Sequence, residues 1–96
     1  MIPVELKSES EKVGTHALVN SGAAGRFIDR QFAEEKGLER RRLMRPIRVL
    51  NVDGTRNKTG FITEYVPVTL TVHGAETQER LLVTRLGRQK VILGLP

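Results

Sequence analysis

The stretch TEYVPVTLTVHG, residues 63–74, has the most regular pattern in the chain. Apolar residues occupy every second position from Val66 to Val72, with polar residues or proline between them. Because successive side chains of a strand point to opposite faces, this pattern predicts a strand with one buried face. Pro67 has no N–H to donate, so we expect its nitrogen to lie at an edge or to point away from the neighbouring strand.

Short extended runs bounded by turn residues fill most of the remaining chain. Further strands are predicted at 3–7, 13–19, 47–52 and 79–84 and in the run VILGLP, 91–96. Asp53-Gly54 suits the tip of a long hairpin, and NKTG at 57–60 offers a second possible turn.

One short amphipathic helix is predicted at 27–36, with Gly37 ending it. The basic segment ERRRLMR, 39–45, is interpreted as a connector, because Pro46 breaks any helix before the next strand. Six or seven strands, one helix and no βαβ alternation predict a single domain over 1–96. Its class is mostly β, a small closed or partly closed barrel.

Composition limits the partners that we expect. The chain has no Cys, a net charge of +5 and no apolar run of the roughly 18 residues that a membrane span needs, so we expect a soluble, intracellular, cytoplasmic protein. Two isolated histidines, His16 and His73, predict neither a metal site nor a cofactor. The arginines at 40–42 and Arg45 could contact nucleic acid, but without Trp and with one Tyr we expect a solvated connector and no nucleic-acid partner.

The segment ALVNSGAAGRFID, 17–29, is where chemistry is expected. An apolar strand runs into Asn20 and then into a turn of small residues. Ser21 can anchor this turn through its hydroxyl, Gly22 allows close backbone approach, and Ala23 leaves space for a ligand. A carboxylate at position 20, duplicated by a two-fold axis, would create a pair of acids that share one proton.

These residues resemble the retropepsin-like aspartic proteases. ALVNSGA is similar to the family's Asp-Ser/Thr-Gly-Ala turn, VILG to its hydrophobic-hydrophobic-Gly segment behind the active site, and VLNVDGTRNKTGFI to its flap. The helix and the phrase YVPVTLTVHG are most similar to proteases of Ty3/gypsy-type retrotransposons. The resemblance covers roughly Val4 to Pro96 in the family's order.

The resemblance implies a retropepsin-like barrel that forms a homodimer, hydrolyses peptide bonds of a polyprotein and belongs to the cytoplasm or to a retroelement particle. Asn20 would occupy the place of the catalytic aspartate, Ser21 would brace the two turns across the dimer, and Gly22 would line the site. The substrate-binding residues would be Ala23, Ala24, Val52, Asp53 and Gly54. In some family members terminal strands close the dimer, and here the segment 3–7 is a possible source.

Asn20 departs from the family at the position that matters most for chemistry, because an amide can act neither as base nor as acid toward a peptide bond. We therefore expect the chain to bind peptides without cutting them. Either Asn was introduced to silence an active enzyme, the favoured interpretation, or it reflects natural loss. The alternative function is a naturally non-catalytic dimerisation or peptide-binding module.

Overall fold

Seven strands and one helix make up the computed structural model, which describes residues 1–20, 25–50 and 59–94. The described helix is far too short to cross a bilayer. In chain order the elements are β1 (Ile2–Lys7), β2 (Lys12–Asn20), β3 (Arg26–Asp29), α1 (Arg30–Glu35), β4 (Arg41–Leu50), β5 (Thr59–Val72), β6 (Ala75–Thr84) and β7 (Val91–Gly94).

Six of the strands close into a barrel. The order is β1-β2-β7-β3-β6-β5, and β1 pairs back onto β5, so that the ring has no free edge. β4 lies outside this ring and pairs with β5 over 59–65, while β1 pairs with β5 over 69–72. This arrangement confirms the mostly β, closed-barrel prediction. β1 pairs with β2 over Ile2–Lys7 and with β5 over Val4–Lys7 within the same chain, and the expectation that the segment 3–7 closes a dimer stays a prediction.

The alternating segment of β5 fills the barrel as predicted. Val66, Val68 and Leu70 are buried in the main core, and Val72 packs against it half-buried. Pro67 lies between the segment of β5 that pairs with β4 and the segment that pairs with β1. Of the described residues, none pairs with Pro67 on that edge, which agrees with the expected edge position of its nitrogen.

Strands β3 and β7 and the C-terminal end of β6 pack apolar side chains on both faces. In each of them neighbouring residues belong to different apolar clusters: Ile28 and Phe27 in β3, for example, lie in the barrel core and in a second core. The second core also contains Ile62, Leu86 and Ile92, and Leu18, Leu43 and Leu82 pack against it. The outer face of these strands is therefore covered by the first half of β5 together with β4.

Two predicted elements need correction. Phe27 and Ile28 were assigned to the helix, but they lie in β3, and the helix begins only at Arg30. Burial on both faces gives a strand the same unbroken apolar run as the start of a buried helix, which explains the error. The segment 39–45 is not a connector throughout, because β4 already begins at Arg41 and continues past Pro46 with a register shift between Arg42 and Ile47.

Asp29 ties the helix to the loop before β7. It is the N-cap of α1 and only 8% exposed. Its Oδ2 accepts a hydrogen bond from the backbone N–H of Phe32 at 3.2 Å, and its Oδ1 accepts one from that of Leu86 at 2.9 Å. One carboxylate thus satisfies two buried donors on separate segments.

We expect Asp29→Ala to lower the free energy of unfolding by about 2–4 kcal/mol, because it leaves two buried N–H groups unsatisfied and removes a helix cap. Asp29→Asn keeps one acceptor and should lose about half as much. Urea denaturation measures both, with Glu76→Ala as the exposed control. Equal stability of Asp29→Ala and Glu76→Ala would contradict the assigned role.

Candidate active site

Asn20 is the last residue of β2, and its side chain is half-buried. The strand positions it by ordinary sheet pairing, since Ala17 to Asn20 run parallel to Val91 to Gly94 of β7 and Asn20 lies opposite Gly94. Ala17 is fully buried in the barrel, and Leu18 packs against the second core. Position 20 is therefore held by a strand anchored on both faces.

β7 runs between the two ends of the turn that follows Asn20. It is parallel to β2 on one side and antiparallel to β3 on the other. The backbone N–H of Gly94 donates a hydrogen bond to the carbonyl oxygen of Gly25 at 2.7 Å. The chain thus leaves β2 at Asn20 beside Gly94 and returns at Gly25 beside the same residue. The segment VILG, predicted to lie behind the site, is β7, which pairs with the strands on both sides of that turn.

The β4–β5 hairpin packs on the side of the sheet that leads to Asn20. Its two strands are antiparallel up to the pair Leu50 and Thr59. Leu43 from β4 and Ile62 from β5 belong to the cluster that also contains Leu18 and Ile92. A long hairpin therefore rests on the strands that carry and support position 20, and its role as a flap stays a prediction.

Several predicted site residues fall outside the described part of the chain. These are the turn residues Ser21, Gly22, Ala23 and Ala24 and the hairpin residues Val52, Asp53 and Gly54. Their assignments remain predictions. Within the described ranges, no group of three His, Asp or Glu side chains is placed to hold a metal ion.

An open cleft of about 510 Å³ lies elsewhere, where β1, β4, β5 and β6 meet. It is lined by charged side chains of both signs, among them Lys7, Arg41, Glu76 and Arg80, together with Pro67. Asn20 is not among the lining residues. Because the cleft forms at the gap beside Pro67, it reflects a break in strand pairing and is separate from the candidate active site.

Sequence reasoning missed Gly25, which closes the turn. Its φ of +137° is one that residues with a side chain rarely adopt, and its carbonyl oxygen accepts the bond from Gly94. The available signal was the second glycine of SGAAG, since a turn that must return to the same strand needs such a conformation at its end.

Residues 16–96 match the model of the PEG10/RTL1 protease domain, and the match includes Asn20, the β4–β5 hairpin and Gly94. The chain belongs to this family. As a PEG10/RTL1 protease domain it is a retropepsin-like, Ty3/gypsy-derived domain, and by family an aspartic protease domain. A search of curated proteins finds no match.

A matched pair of glycine variants tests the closure of the turn. We expect Gly25→Ala to lower the free energy of unfolding by about 1–3 kcal/mol, because alanine is strained at this φ. Gly14→Ala, in β2, adds a methyl group with no atom within 4 Å and should change stability by less than about 0.5 kcal/mol. Thermal and urea unfolding of both variants check the difference, and equal effects would contradict it.

Proposed function

We propose that this domain is one half of a peptide-hydrolase site, completed by a second copy of the chain, and that Asn20 leaves it able to bind extended peptides but not to cut them. The observation that carries the proposal is the position of Asn20 beside Gly94, at the end of a strand covered by a long hairpin. Membership of a protease-domain family supports the reaction class.

The chemistry requires two carboxylates at this position, one from each copy. Two like charges in close proximity cannot both ionise, so the pair shares a single proton. The ionised member takes a proton from water, and the protonated member donates a hydrogen bond to the carbonyl oxygen of the scissile peptide. Water then attacks the carbonyl carbon, and the proton gained from it passes to the leaving amine.

Asn20 removes both functions at once, because symmetry places the same residue on both sides. Its side chain has nearly the size of aspartate, so the strand end and the pairing with Gly94 can remain. The amide can donate and accept hydrogen bonds to a peptide, but it does not take a proton from water near neutral pH. Binding and hydrolysis are therefore separable in this chain.

A second copy is needed because the reaction uses two acids and each chain has one residue 20. Val19, next to it, is 39% exposed although it is apolar and lies in a central strand. Since β1 pairs with β2 and β5 of its own chain, contact between copies would involve the region around the turn. An apolar residue exposed beside the turn supports this placement.

A peptide-binding module without catalysis is the second candidate, and Asn20 itself favours it. In that case the domain keeps the groove and the pairing of copies for assembly or capture of peptides. If the natural gene encodes Asn at position 20, this candidate is supported. If the gene encodes Asp there, the Asn was introduced.

Asn20→Asp should convert the chain into a peptidase. We expect hydrolysis of a peptide library to rise by on the order of a hundredfold to ten-thousandfold. The rate should be highest at mildly acidic pH and fall on both sides, because the pair works only while it shares one proton. Asn20→Ala is the control and should stay inactive. A dimeric Asn20→Asp variant that cleaves nothing would refute the hydrolase and leave the binding module.

Mixing chains tests whether two copies form the site. Adding an excess of the unmodified chain to the Asn20→Asp variant should lower its peptidase activity, because mixed pairs contain one amide and one carboxylate. Sedimentation over a range of concentrations should show the corresponding association. Activity that is unchanged by the added chain would show that one copy works alone.

A further inference from the structure

Two groups of arginines in this domain differ in their carboxylate partners; Arg80, Arg85 and Arg88, which also have no ion pair with a described residue, belong to neither group. In the first group, four arginines have a guanidinium nitrogen within 4 Å of a carboxylate, as in the contacts of Arg30 with Glu64 at 3.3 Å and of Arg41 with Glu39 at 3.4 Å; the other two are Arg26 and Arg40. The hydrogen bond to Glu39 also raises the pKa of Arg41. These arginines are already neutralised by neighbours on the same surface.

Arg42, Arg45 and Arg48 form the second group, here called the arginine row. All three lie in β4, are exposed and have no ion pair with a described residue. Arg42 lies opposite Glu64 in the β4–β5 register, but the carboxylate of Glu64 is bound by Arg30. Arg48 lies opposite Phe61, which offers no charge. β4 therefore carries three positive charges that no described carboxylate neutralises. Arg42 and Arg48 lie on opposite faces of the β4–β5 hairpin, because their partners Glu64 and Phe61 are three residues apart on β5.

The row stands on a strand with one unpaired side. Among the residues that the structure describes, β4 pairs with β5 alone, so its other edge presents backbone N–H and C=O groups. An edge of this kind can accept an extended peptide by strand addition. The strand continues into the hairpin that packs over the strands carrying Asn20, so the row and the candidate active site lie on connected elements.

We propose that the arginine row docks an acidic, extended segment of the peptide substrate, outside the residues that flank the scissile bond. This assignment rests on the proposed function and adds a substrate class to it: polypeptides with a run of Asp or Glu near the cleaved or captured site. Carboxylates would supply the partners that the three guanidinium groups lack on their own surface.

The small number of exposed aromatic residues favours a peptide ligand over a single-stranded nucleic acid. Such nucleic acids need successive aromatic platforms as well as positive charge. The chain has three Phe and one Tyr. Phe27 and Phe32 are buried, Tyr65 is covered by the guanidinium of Arg80, and only Phe61, at 65% exposed, is open. One ring cannot stack a series of bases, whereas an extended acidic peptide needs none.

The test uses the unmodified chain, which does not consume the probe. The probe is a fluorescent ten-residue peptide that alternates Glu with Val, and its isostere with Gln in place of Glu is the neutral comparison. Fluorescence anisotropy should show binding of the acidic peptide that weakens as salt rises from low to about 0.3 M, since exposed charge pairs are screened. The Gln peptide should bind at least several-fold more weakly.

The triple variant Arg42→Gln, Arg45→Gln, Arg48→Gln should lower the affinity for the acidic peptide by roughly tenfold. The matched control, Lys7→Gln, Arg85→Gln, Arg88→Gln, removes the same charge from exposed residues outside β4 that also lack an ion pair with a described residue. It should bind nearly as the parent chain does. Of the six residues changed in the two variants, five are arginines and one is Lys7, so the side chains that are removed have closely matched sizes. Thermal unfolding checks that both variants fold.

Three outcomes would overturn the inference. Equal losses in both triple variants would show a general effect of net charge. No preference for the acidic peptide would leave the arginines and Pro46 as protection of a strand edge against aggregation. Tighter binding of a single-stranded oligonucleotide, lost in the β4 variant alone, would assign the surface to nucleic acid. Peptidase activity of the Asn20→Asp variant on neutral peptides is independent of all three, so the proposed function is tested separately.

Discussion

The pairing of β7 with both β2 and β3 is the constraint on which the site depends. A reactive or ligand-binding residue must be held in a fixed position, and the pairing of the neighbouring strands can supply this. Here both ends of the turn after Asn20 are fixed to one residue, because Gly94 lies opposite Asn20 and donates its N–H to the carbonyl oxygen of Gly25. The precision of position 20 therefore comes from a strand more than sixty residues away in sequence.

Burial on both faces is what makes β7 a firm support. Val91 and Leu93 fill the barrel, whereas Ile92 packs in the second core with Phe27 and Ile62. A domain of this size buries a limited fraction of its surface, so a second core adds stability that the barrel interior alone does not supply. That second core exists only because β4 and the first half of β5 fold over the sheet. Support for the site and attachment of the hairpin are consequently one packing arrangement.

The sequence predicted the strand with one buried face correctly. It did not predict β3, which packs on both faces, or the start of β4, which is exposed. The alternation from Val66 to Val72 predicted β5 because period two is unambiguous. Phe27 and Ile28 have no such alternation, so the sequence predicts them as the start of the helix that follows. The start of β4 was missed because its arginines resemble a solvated connector, and only pairing with β5 makes them a strand. Asn20 and Gly94 were recognised through the family resemblance, but the contact of Gly94 with Gly25 depends on topology that no local pattern encodes.

Asn20 separates the requirements of the fold from those of the reaction. The backbone at position 20 pairs with Gly94, and this pairing does not depend on whether the side chain ends in an amide or a carboxylate. Two carboxylates at a shared site would repel unless they held a proton between them, and two amides carry no such charge. An amide in place of the carboxylate adds no such repulsion, and it has no proton that titrates near neutral pH. Under the proposed function, binding through the hairpin and the arginine row would not depend on that exchange, so binding and hydrolysis would be separable in this chain.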